Sequence, residues 1–420
     1  MGTADSIKQV AEIVSGSEAP VVVVSATSGT TDQLVLLAET AVKGGDWATV
    51  LDEIMEKHAR IIADLGLSLD LTGFWAELRE VARGVSMLGE LSLSTKDRVM
   101  TFGERSSAQI LAALLADAEA VDAHEIVFTD NNFGEGEVDF ERTDRAINDR
   151  LMPLLDRGTV PVVTGFVAQA ENGQYITLGR GGSDYTGAIL AAALGSSEVQ
   201  IWTDVDGILN TDPRLVEAAK VLEQLSYNEA GELAYFGAKV LHPKTIKPAV
   251  KAGIPVRILN TFNAAAPGTL IDSEEKESLK SVTYKKGIST INVCSAGMLG
   301  ARGFLAKIFE VFARHEVSVD VISTSEVSVS MTVDKGAEQL VLTDLERFAT
   351  VSVEEDMAIV CLVGEGIKAN TEVLGQLFSA VANYNVSMVS QGASKRNITF
   401  VVKENEAKEV VTTVFNQFFN

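Results

Sequence analysis

The stretch FLAKIFEVFARHEVSVDVISTSEVSVSMTV, residues 304–333, decides the organisation of the C-terminal part of the chain, because a related stretch follows it. This second copy, VLGQLFSAVANYNVSMVSQGASKRNITFVV at residues 373–402, aligns without a gap at an offset of 69 residues. In each copy an apolar strand precedes a helix with apolar residues at helical spacing, and two alternating strands follow. The repeat therefore predicts two β-α-β-β units, each with a closing helix, from about residue 285 onward. Each unit has one sheet face that needs cover, so the two copies should pair with each other or across a dimer.

The part of the chain before this repeat alternates apolar strands with amphipathic helices, a pattern typical of an α/β sandwich. A Gly-containing turn, ATSGTTD at residues 26–32, follows the first strand, and a helix is predicted at residues 33–42. Residues 44–96 show long helical patterns, which predict a helical cap on the sheet. The charged run IDSEEKESLKS, residues 271–281, predicts a linker or an exposed helix before the repeat. Strands are predicted at residues 21–25, 126–128, 160–164 and 199–202.

The composition is that of an acidic globular protein of 420 residues, with a formal net charge of −23 from 35 Lys and Arg against 58 Asp and Glu. This excess of carboxylates repels nucleic-acid phosphates and anionic membrane surfaces, so neither is expected as a partner. No apolar run is long enough to span a bilayer, and a cytoplasmic location is expected. The two cysteines, Cys294 and Cys361, lie in apolar runs and are predicted to be core residues rather than a disulfide or a metal site.

The segment TLGRGGSDYT, residues 177–186, leads directly into an apolar helix at residues 188–194. Glycines there allow a ligand to approach the backbone, and the start of the helix presents free N–H groups to an anion. Ser183 and Asp184 are alternative candidates for the residue that caps this helix. The acidic segment IWTDVDGILNTDPR, residues 201–214, begins as a strand, and metal or nucleotide contacts are common where such strands end. The sequence contains no P-loop and no protein-kinase motif, so the site is of another class.

Further segments stand in a fixed order with these two: SATSGTTD (25–32), TFGERSSAQILAALL (101–115), VPVVTGFVA (160–168), FGAKVLHP (236–243) and NTFNAAAPGTLI (260–271). Together they resemble aspartate kinase, and the C-terminal repeat resembles the paired ACT domains of that family. The resemblance covers essentially the whole chain. It implies an amino-acid-kinase-type three-layer α/β/α sandwich at residues 1–275, followed by two ferredoxin-like (βαββαβ) ACT domains at residues 276–352 and 353–420, which can be intertwined.

The resemblance also implies an activity, the ATP-dependent phosphorylation of L-aspartate to 4-phospho-L-aspartate with Mg²⁺, as the first step of lysine, threonine and methionine biosynthesis. Glu104 would pair with the substrate's α-ammonium group, and Arg180 would clamp its α-carboxylate with the guanidinium fork. Asp184 would organise the catalytic end near the transferring phosphoryl group. The other residues implied to bind aspartate are Ser25, Thr31 and Ser183. The residues implied to contact ATP are Thr203, Asp204, Asp212, Arg214 and Lys239.

Such a reaction needs no general base, because the nucleophile is the substrate's own carboxylate, which is ionised near neutral pH with a reference pKa of about 3.9. Catalysis would consist of aligning two anions, this carboxylate and the γ-phosphoryl group, and neutralising the charge between them. A chain with four histidines in 420 residues suits that chemistry.

The ACT pair implies feedback regulation by an amino acid, with lysine as the first expectation and threonine as the second. Asp320 and Glu326 are expected to pair with the ammonium groups of the effector. Lysine-inhibited members usually carry a polar pair where this chain has Gly300 and Ala301. Pairing of ACT units predicts a homodimer or a higher oligomer. The implied effector-binding residues are Met298, Ala301, Gly303, Phe304, Leu305, Ser318, Val319, Asp320, Thr324, Ser325 and Glu326.

The sequence departs from the family pattern at its beginning. Members of the family begin with a strand that ends in Lys-Phe-Gly-Gly-Thr-Ser, whose lysine reaches the phosphates, whereas this chain starts at Met1, where the family continues past that motif. Two interpretations compete: a start site assigned too late, or a truncated, catalytically silent subunit that senses amino acids. The 420-residue chain as given is expected to have little kinase activity. Another amino-acid kinase, acting on glutamate or a nucleotide monophosphate, is a third alternative that the ACT pair and FGAKVLHP disfavour.

Overall fold

A computed structural model of the protein describes residues 1–236, 244–295, 298 and 302–419. The chain forms two compact units. The first consists of Met1–Asp206 with His242–Asp272, and the second of Gly207–Leu241 with Ser273–Asn420. Each unit therefore draws on two separate parts of the chain. No helix of the described residues is long and apolar enough to cross a membrane.

The first unit alternates helices and strands. Its elements in chain order are α1 (Ala4–Ser15), β1 (Val22–Val24), α2 (Thr30–Val42), α3 (Trp47–Asp64), α4 (Thr72–Leu88), α5 (Leu93–Leu114), β2 (Ala118–Val121), β3 (Phe128–Thr129), α6 (Phe140–Asp156), β4 (Val160–Thr164), β5 (Val167–Ala170), β6 (Tyr175–Thr177), α7 (Gly182–Leu194), β7 (Val199–Thr203), α9 (Lys247–Ala252), β9 (Val256–Asn260) and β10 (Thr269–Asp272).

The second unit contains the repeat and the segment that precedes α9 in the chain. Its elements are β8 (Gln224–Ser226), α8 (Tyr227–Tyr235), β11 (Ser278–Cys294), α10 (Phe304–Arg314), β12 (Ile322–Thr324), β13 (Ser328–Asp334), α11 (Glu338–Leu345), β14 (Thr350–Glu365), α12 (Thr371–Ala380), β15 (Met388–Gln391), β16 (Asn397–Lys403) and α13 (Ala407–Phe419).

Strands β1, β4 and β2 form a parallel sheet in that order. Adjacent residues of β4 point to its two faces: Val162 packs with Val24 against α2–α5, whereas Val163 packs with Val121 against α6 and α7. Both valines of β4 are fully buried, as expected for a parallel strand that is covered on both faces. Beside this sheet, β5 lies between β3 and β6, and β9 lies between β7 and β10. The predicted three-layer α/β/α sandwich is confirmed.

Most elements predicted in this unit are present. Strand β4 coincides with the prediction, and α3 and α4 supply the predicted helical cap. The strand predicted at residues 126–128 is almost absent, because only Phe128 of it lies in β3. The prediction of Ser183 or Asp184 as the cap of α7 is wrong. The cap is Gly181, whose backbone is left-handed with φ 72°, a conformation that glycine adopts without steric cost.

The second unit is built on one sheet of six strands in the order β12-β13-β11-β14-β16-β15. The long strands β11 and β14 pair antiparallel from Ser278 opposite Glu365 to Cys294 opposite Thr350, so both repeats share the sheet. Helices α10 and α11 pack on one half and α12 and α13 on the other. The predicted repeat of β-α-β-β units with closing helices is confirmed, and the two copies pair within the chain. The linker is shorter than the charged run, because β10 ends at Asp272 and β11 begins at Ser278.

Helix α8 packs on the half of the sheet formed by the second repeat. Its Glu229 accepts a hydrogen bond from the backbone N–H of Glu365, at 3.2 Å. Glu232 accepts from Ser394 Oγ at 2.7 Å and from Asn397 Nδ2 at 2.6 Å. These contacts place α8 with the repeat, although it precedes the predicted domain boundary at residue 275.

The two cysteines differ. Cys361 is free and fully buried, as predicted. Cys294 is free but exposed, so the prediction of a core position is wrong for it. Cys294 follows Val293, which faces the helix-covered core, and therefore points to the opposite face of the sheet.

Candidate active site

Loops at the carboxyl ends of β1 and β4 meet the first turn of α7. Ser25 follows β1, and its hydroxyl donates to Ser183 Oγ at 2.8 Å. Gly165 follows β4, and its backbone N–H donates to the carbonyl of Val24 at 2.9 Å. A Cβ atom at Gly165 would lie 2.7 Å from Cβ of Ser183, so only glycine permits this approach. The structure thus brings two predicted aspartate-binding serines together.

Glu104 lies on α5 and faces the loop after β1. Its side chain is buried, with 4% exposure. One carboxylate oxygen, Oε1, accepts from the backbone N–H of Ala26 at 3.2 Å, whereas Oε2 is buried and has no partner. Burial raises the pKa of this carboxyl to about 7. A Cβ at Gly103 would lie 2.6 Å from Cβ of Ala26, so the glycine before Glu104 permits the helix to approach the loop. A buried oxygen without a partner is suited to a cationic ligand.

Asp184 lies in the first turn of α7. Burial raises its pKa to about 6. Arg180 precedes this helix, between two left-handed glycines, Gly179 with φ 76° and Gly181 with φ 72°. Its side chain is exposed, and no ion pair joins it to another residue in the described part of the chain. The guanidinium group is therefore available to an anionic ligand.

Thr31 is the second residue of α2, which begins after Gly29 in a left-handed conformation. The loop after β1 therefore begins with Ser25, and the helix that follows this loop carries Thr31 in its first turn. Both belong to the predicted aspartate-binding set, and α5 supplies Glu104 to the same loop through Ala26.

A second carboxylate on α5, Asp97, was not predicted. It is 3% exposed and accepts hydrogen bonds from the backbone N–H groups of Gly134 at 2.8 Å and Thr177 at 2.9 Å, and from Thr177 Oγ1 at 3.2 Å. Burial raises its pKa. Asp97 thus fixes the start of the segment that leads to Arg180. It stands seven residues before Glu104, two helical turns away and on the same face of α5, which is the signal that could have identified it.

The predicted nucleotide contacts fall into two groups. Thr203 ends β7, and its hydroxyl donates to Asp204 Oδ1 at 3.2 Å, both in the first unit. Asp206, which was not predicted, accepts from Asn260 Nδ2 at 2.7 Å and from Asn263 Nδ2 at 3.1 Å. These bonds fix the turn after β7.

The other group lies in the second unit, where Arg214 pairs with Asp212 through Nη2 and Oδ2 at 2.7 Å. The hydrogen bond from the Arg214 side chain holds the pKa of Asp212 below its usual value. Lys239 lies outside the described residues.

The predicted effector residues surround the start of α10 and strand β12. Asp320 is already bonded: Oδ1 accepts from the Tyr235 hydroxyl at 2.8 Å and Oδ2 from Lys285 Nζ at 2.8 Å. Lys285 also pairs with Asp334 Oδ1 at 2.9 Å. Glu326 lies on an exposed turn. Ala301 is outside the described residues. The remaining predicted residues are Met298, Gly303, Phe304 and Leu305 near the start of α10, Ser318 and Val319 before β12, and Thr324 and Ser325 at its end.

Comparison with known proteins assigns the chain to a family. Residues 1–260 match the amino acid kinase family, and residues 291–347 and 360–418 match the ACT domain. The chain is 39% identical to aspartokinase 1, chloroplastic, of Arabidopsis thaliana, in an alignment that covers 100% of this chain and 78% of the relative. It is 35% identical to lysine-sensitive aspartokinase 3 of Escherichia coli strain K12, over 99% of this chain and 96% of the relative. The chain belongs to the aspartokinase family.

Solved aspartokinase structures agree with this fold. The structure of E. coli aspartokinase III in complex with aspartate and ADP superposes with a TM-score of 0.86 at 33% identity, and covers 100% of this chain and 97% of that one. Clostridium acetobutylicum aspartate kinase has a TM-score of 0.88 at 27% identity, with 99% and 97% covered. The chain is therefore a kinase with an amino acid kinase domain followed by ACT domains, as the sequence predicted.

Proposed function

We propose that the protein transfers the γ-phosphoryl group of ATP to the side-chain carboxylate of L-aspartate. The related E. coli aspartokinase III has been crystallised with aspartate and ADP, which supports both substrates. The observation that carries the proposal is the buried Glu104 carboxylate, which leaves Oε2 without a partner beside the loop that follows β1. The α-ammonium group of an amino acid would satisfy this oxygen and stabilise the ionised form of Glu104.

The remaining charges suit the rest of the amino acid. The exposed guanidinium of Arg180 would bind the α-carboxylate with two parallel hydrogen bonds. The hydroxyls of Ser25, Thr31 and Ser183 would position the side-chain carboxylate, which attacks the γ-phosphorus while the bond to the β,γ-bridging oxygen breaks and ADP leaves. Asp184, at the start of α7, would orient the reacting groups. The helix N-terminus adds a favourable field for the developing negative charge.

The nucleotide would be contacted by Thr203, Asp204, Asp212, Arg214 and Lys239. Within the described ranges no group of three or more His, Cys, Asp or Glu side chains is placed to hold a metal ion. Mg²⁺ in kinases usually keeps several waters and binds one or two carboxylates together with the phosphates of the substrate. Asp184, in the first turn of α7, would supply such a carboxylate, and Mg²⁺ would there neutralise phosphate charge.

We further propose that an amino acid bound at the ACT pair inhibits the kinase, with lysine as the first candidate and threonine as the second. E. coli aspartokinase III has been crystallised with lysine and aspartate in a T state, and the relative named above is lysine-sensitive. The reaction would open the synthesis of lysine, threonine and methionine, and an end product that inhibits the first step suits such a position.

An assay of acyl-phosphate formation tests the proposal. The full chain is incubated with ATP, Mg²⁺ and hydroxylamine, and aspartate, glutamate or no amino acid is added. Whatever the rate of turnover, we expect hydroxamate and ADP to form in equal amounts when aspartate is the added amino acid, and not to form with glutamate or with no amino acid. Glu104→Gln should reduce both products, whereas Glu141→Gln, a change on the exposed face of α6, should not. Lysine binding without any aspartate-dependent hydroxamate would contradict the proposal and favour an amino-acid-sensing subunit.

A further inference from the structure

One histidine is buried between the loop after β1 and helix α5. His58, on α3, is fully buried and its ring centroid lies 5.0 Å from that of Trp75. Its Nδ1 lies 2.7 Å from the carbonyl oxygen of Ile54. Its Nε2 lies 3.3 Å from Thr27 Oγ1 and 3.2 Å from Ser106 Oγ. The ring therefore contacts three elements of the first unit.

The direction of each hydrogen bond around His58 follows from its partners. The carbonyl of Ile54 only accepts, so Nδ1 carries the hydrogen and Nε2 of the neutral ring is an acceptor. Burial, and secondarily the charge of Lys57, lowers the pKa of His58 to about 4, so the ring is neutral near pH 7. The Ser106 hydroxyl donates to the carbonyl of Gly103 at 2.8 Å, which leaves Thr27 as the donor to Nε2.

The chain of hydrogen bonds continues through the loop. Thr27 Oγ1 and Thr30 Oγ1 are 2.6 Å apart. Lys57 Nζ donates to Thr30 Oγ1 at 2.9 Å and to the carbonyl of Ser28 at 2.5 Å. An ammonium group only donates, so Thr30 Oγ1 accepts a hydrogen bond from Lys57. The Thr30 hydroxyl then donates to Thr27 Oγ1, and the Thr27 hydroxyl donates to His58. The hydroxyls of Thr27 and Thr30 thus have one orientation each. Lys57 and His58, which are adjacent on α3, bond to the two ends of the segment from Thr27 to Thr30.

We infer that His58 is a positioning residue for aspartate binding, because its ring accepts a hydrogen bond from Thr27 and packs against Ser106, which belong to the two elements that meet at Glu104. Thr27 is adjacent to Ala26, whose N–H donates to Glu104, and Ser106 is two residues beyond Glu104 on α5. His58 acts through these neighbours and fixes the distance between the loop and the carboxylate. The inference rests on the proposed function, since it assigns the loop to the aspartate pocket.

Substitutions at both ends of the bond from Thr27 to His58 test this role. His58→Leu retains apolar volume but removes the acceptor, and we expect the Kd and KM for aspartate to rise about tenfold, the effect of one buried hydrogen bond. The KM for ATP should change less than twofold. His58→Gln can place its amide oxygen near the Nε2 position and should recover part of the loss. Thr27→Val, which removes only the hydroxyl, should resemble His58→Leu.

A matched control is available on α5. Thr101 is fully buried and its hydroxyl donates to the carbonyl of Arg98 within the same helix, so Thr101→Val removes a buried hydroxyl outside the chain of bonds. It should leave the Kd for aspartate unchanged. An equal rise in the KM values for aspartate and ATP in His58→Leu, or the same rise in Thr101→Val, would show a general structural effect and overturn the inference.

A spectroscopic measurement examines the hydrogen-bond chain without any assay of activity. The ¹⁵N chemical shifts of the His58 ring should show a protonated Nδ1 and an unprotonated Nε2 at pH 7, and a protonated Nε2 would overturn the inference. Calorimetric Kd values separate it from the proposed function. If the wild type binds aspartate without phosphorylating it, the proposed function fails and the Kd series still decides the role of His58. If the wild type does not bind aspartate, the proposed function and the role inferred for His58 are both wrong.

Discussion

The backbone N–H of Ala26 donates to the carboxylate of Glu104 at 3.2 Å and leaves the other oxygen of this buried group without a protein partner. The bond joins a loop that follows β1 to a helix that begins some seventy residues later in the chain. Glycine is required at the residue before Glu104, because a Cβ there would meet Cβ of Ala26 at 2.6 Å. Helix α5 and the loop after β1 are therefore packed closely at the position where the ammonium group of an amino acid is proposed to bind.

The affinity for aspartate should depend on pH through Glu104. Its pKa in the free protein is about 7, so at lower pH the carboxyl is mostly neutral and must lose its proton before it pairs with an ammonium group. We expect the Kd for aspartate to be nearly constant above pH 7.5 and to rise toward tenfold per pH unit below about pH 6.5.

Calorimetry at pH 6 in buffers of different ionisation enthalpy should detect proton release on aspartate binding. Glu104→Gln should bind more weakly and lose both the proton release and this pH dependence. Proton uptake on binding, or a wild-type Kd that does not change between pH 6 and 8, would contradict the role assigned to Glu104.

Replacement of Arg180 separates the two substrates. Arg180→Ala should raise the KM for aspartate strongly, by about a hundredfold, because a charged bidentate hydrogen-bond pair is lost, while nucleotide binding stays nearly unchanged. Arg180→Lys should recover only part of the affinity, since an ammonium group lacks the planar fork. Steady-state kinetics with each substrate varied in turn provide the measurement. Weaker binding of ATP with an unchanged KM for aspartate would show that the assignment of the two pockets is wrong.

The buried His58 should make the first unit sensitive to acid. Its pKa is about 4 in the folded protein and 6.5 in the unfolded chain, so between these values the unfolded state binds a proton that the folded state does not. Stability from this group is complete above pH 6.5 and is lost as the pH falls toward 4, by about 3 kcal/mol at most.

Urea unfolding of the wild type and of His58→Gln at pH 7 and pH 4.5 measures the contribution of His58 to the free energy of unfolding. Carboxylates contribute their own pH dependence to both proteins, so the difference between the proteins isolates His58. The wild type should lose more stability than the variant on acidification. Equal losses would mean that His58 is charged, or accessible to water, in the folded state.

Local patterns in the sequence predicted the helices and strands whose apolar residues recur at a regular spacing. Strand β4 and the repeated β-α-β-β units were found because their apolar residues recur with a period set by the backbone. Contacts between distant residues were not found. Asp97 and Thr177 are 80 residues apart, and His58 and Ser106 are 48 apart. The seven-residue spacing of Asp97 and Glu104 places both on one face of α5, but no local pattern shows that this face is buried, since burial is decided by the packing of other elements.

Contacts between distant residues also determine which segments belong to the second unit, and the sequence did not predict them. The resemblance assigned residues 1–275 to one domain, yet α8 packs on the sheet of the repeat, where Glu232 bonds to Ser394 and Asn397. An isolated fragment that begins at residue 276 would lose these contacts. Experiments on effector binding therefore require the full chain.

Asp320 provides the test of effector binding. Both of its oxygens already accept hydrogen bonds, from Tyr235 and from Lys285. If Asp320 binds the ammonium group of an effector, the Tyr235 hydroxyl competes for Oδ1. Asp320→Ala should then abolish lysine binding, whereas Tyr235→Phe should tighten it about fivefold, the effect of removing one competing hydrogen bond. Calorimetry of the full chain with lysine and threonine, alone and together, measures both effects.

Sedimentation of the same samples tests the predicted homodimer, because an effector that binds one arrangement of ACT units more tightly shifts the population toward it. We expect at least a dimer, and a change in its distribution or shape when lysine binds. Tyr384→Phe is a suitable control, since its hydroxyl lies 3.4 Å from Thr413 Oγ1 in the second repeat, whereas Asp320 accepts from Tyr235 and Lys285. Weaker lysine binding in Tyr235→Phe would show that the tyrosine supports the effector site instead of competing with it. Unchanged lysine binding in Asp320→Ala would exclude Asp320 from the site and leave its bonds to Tyr235 and Lys285 as a link between α8 and the first repeat.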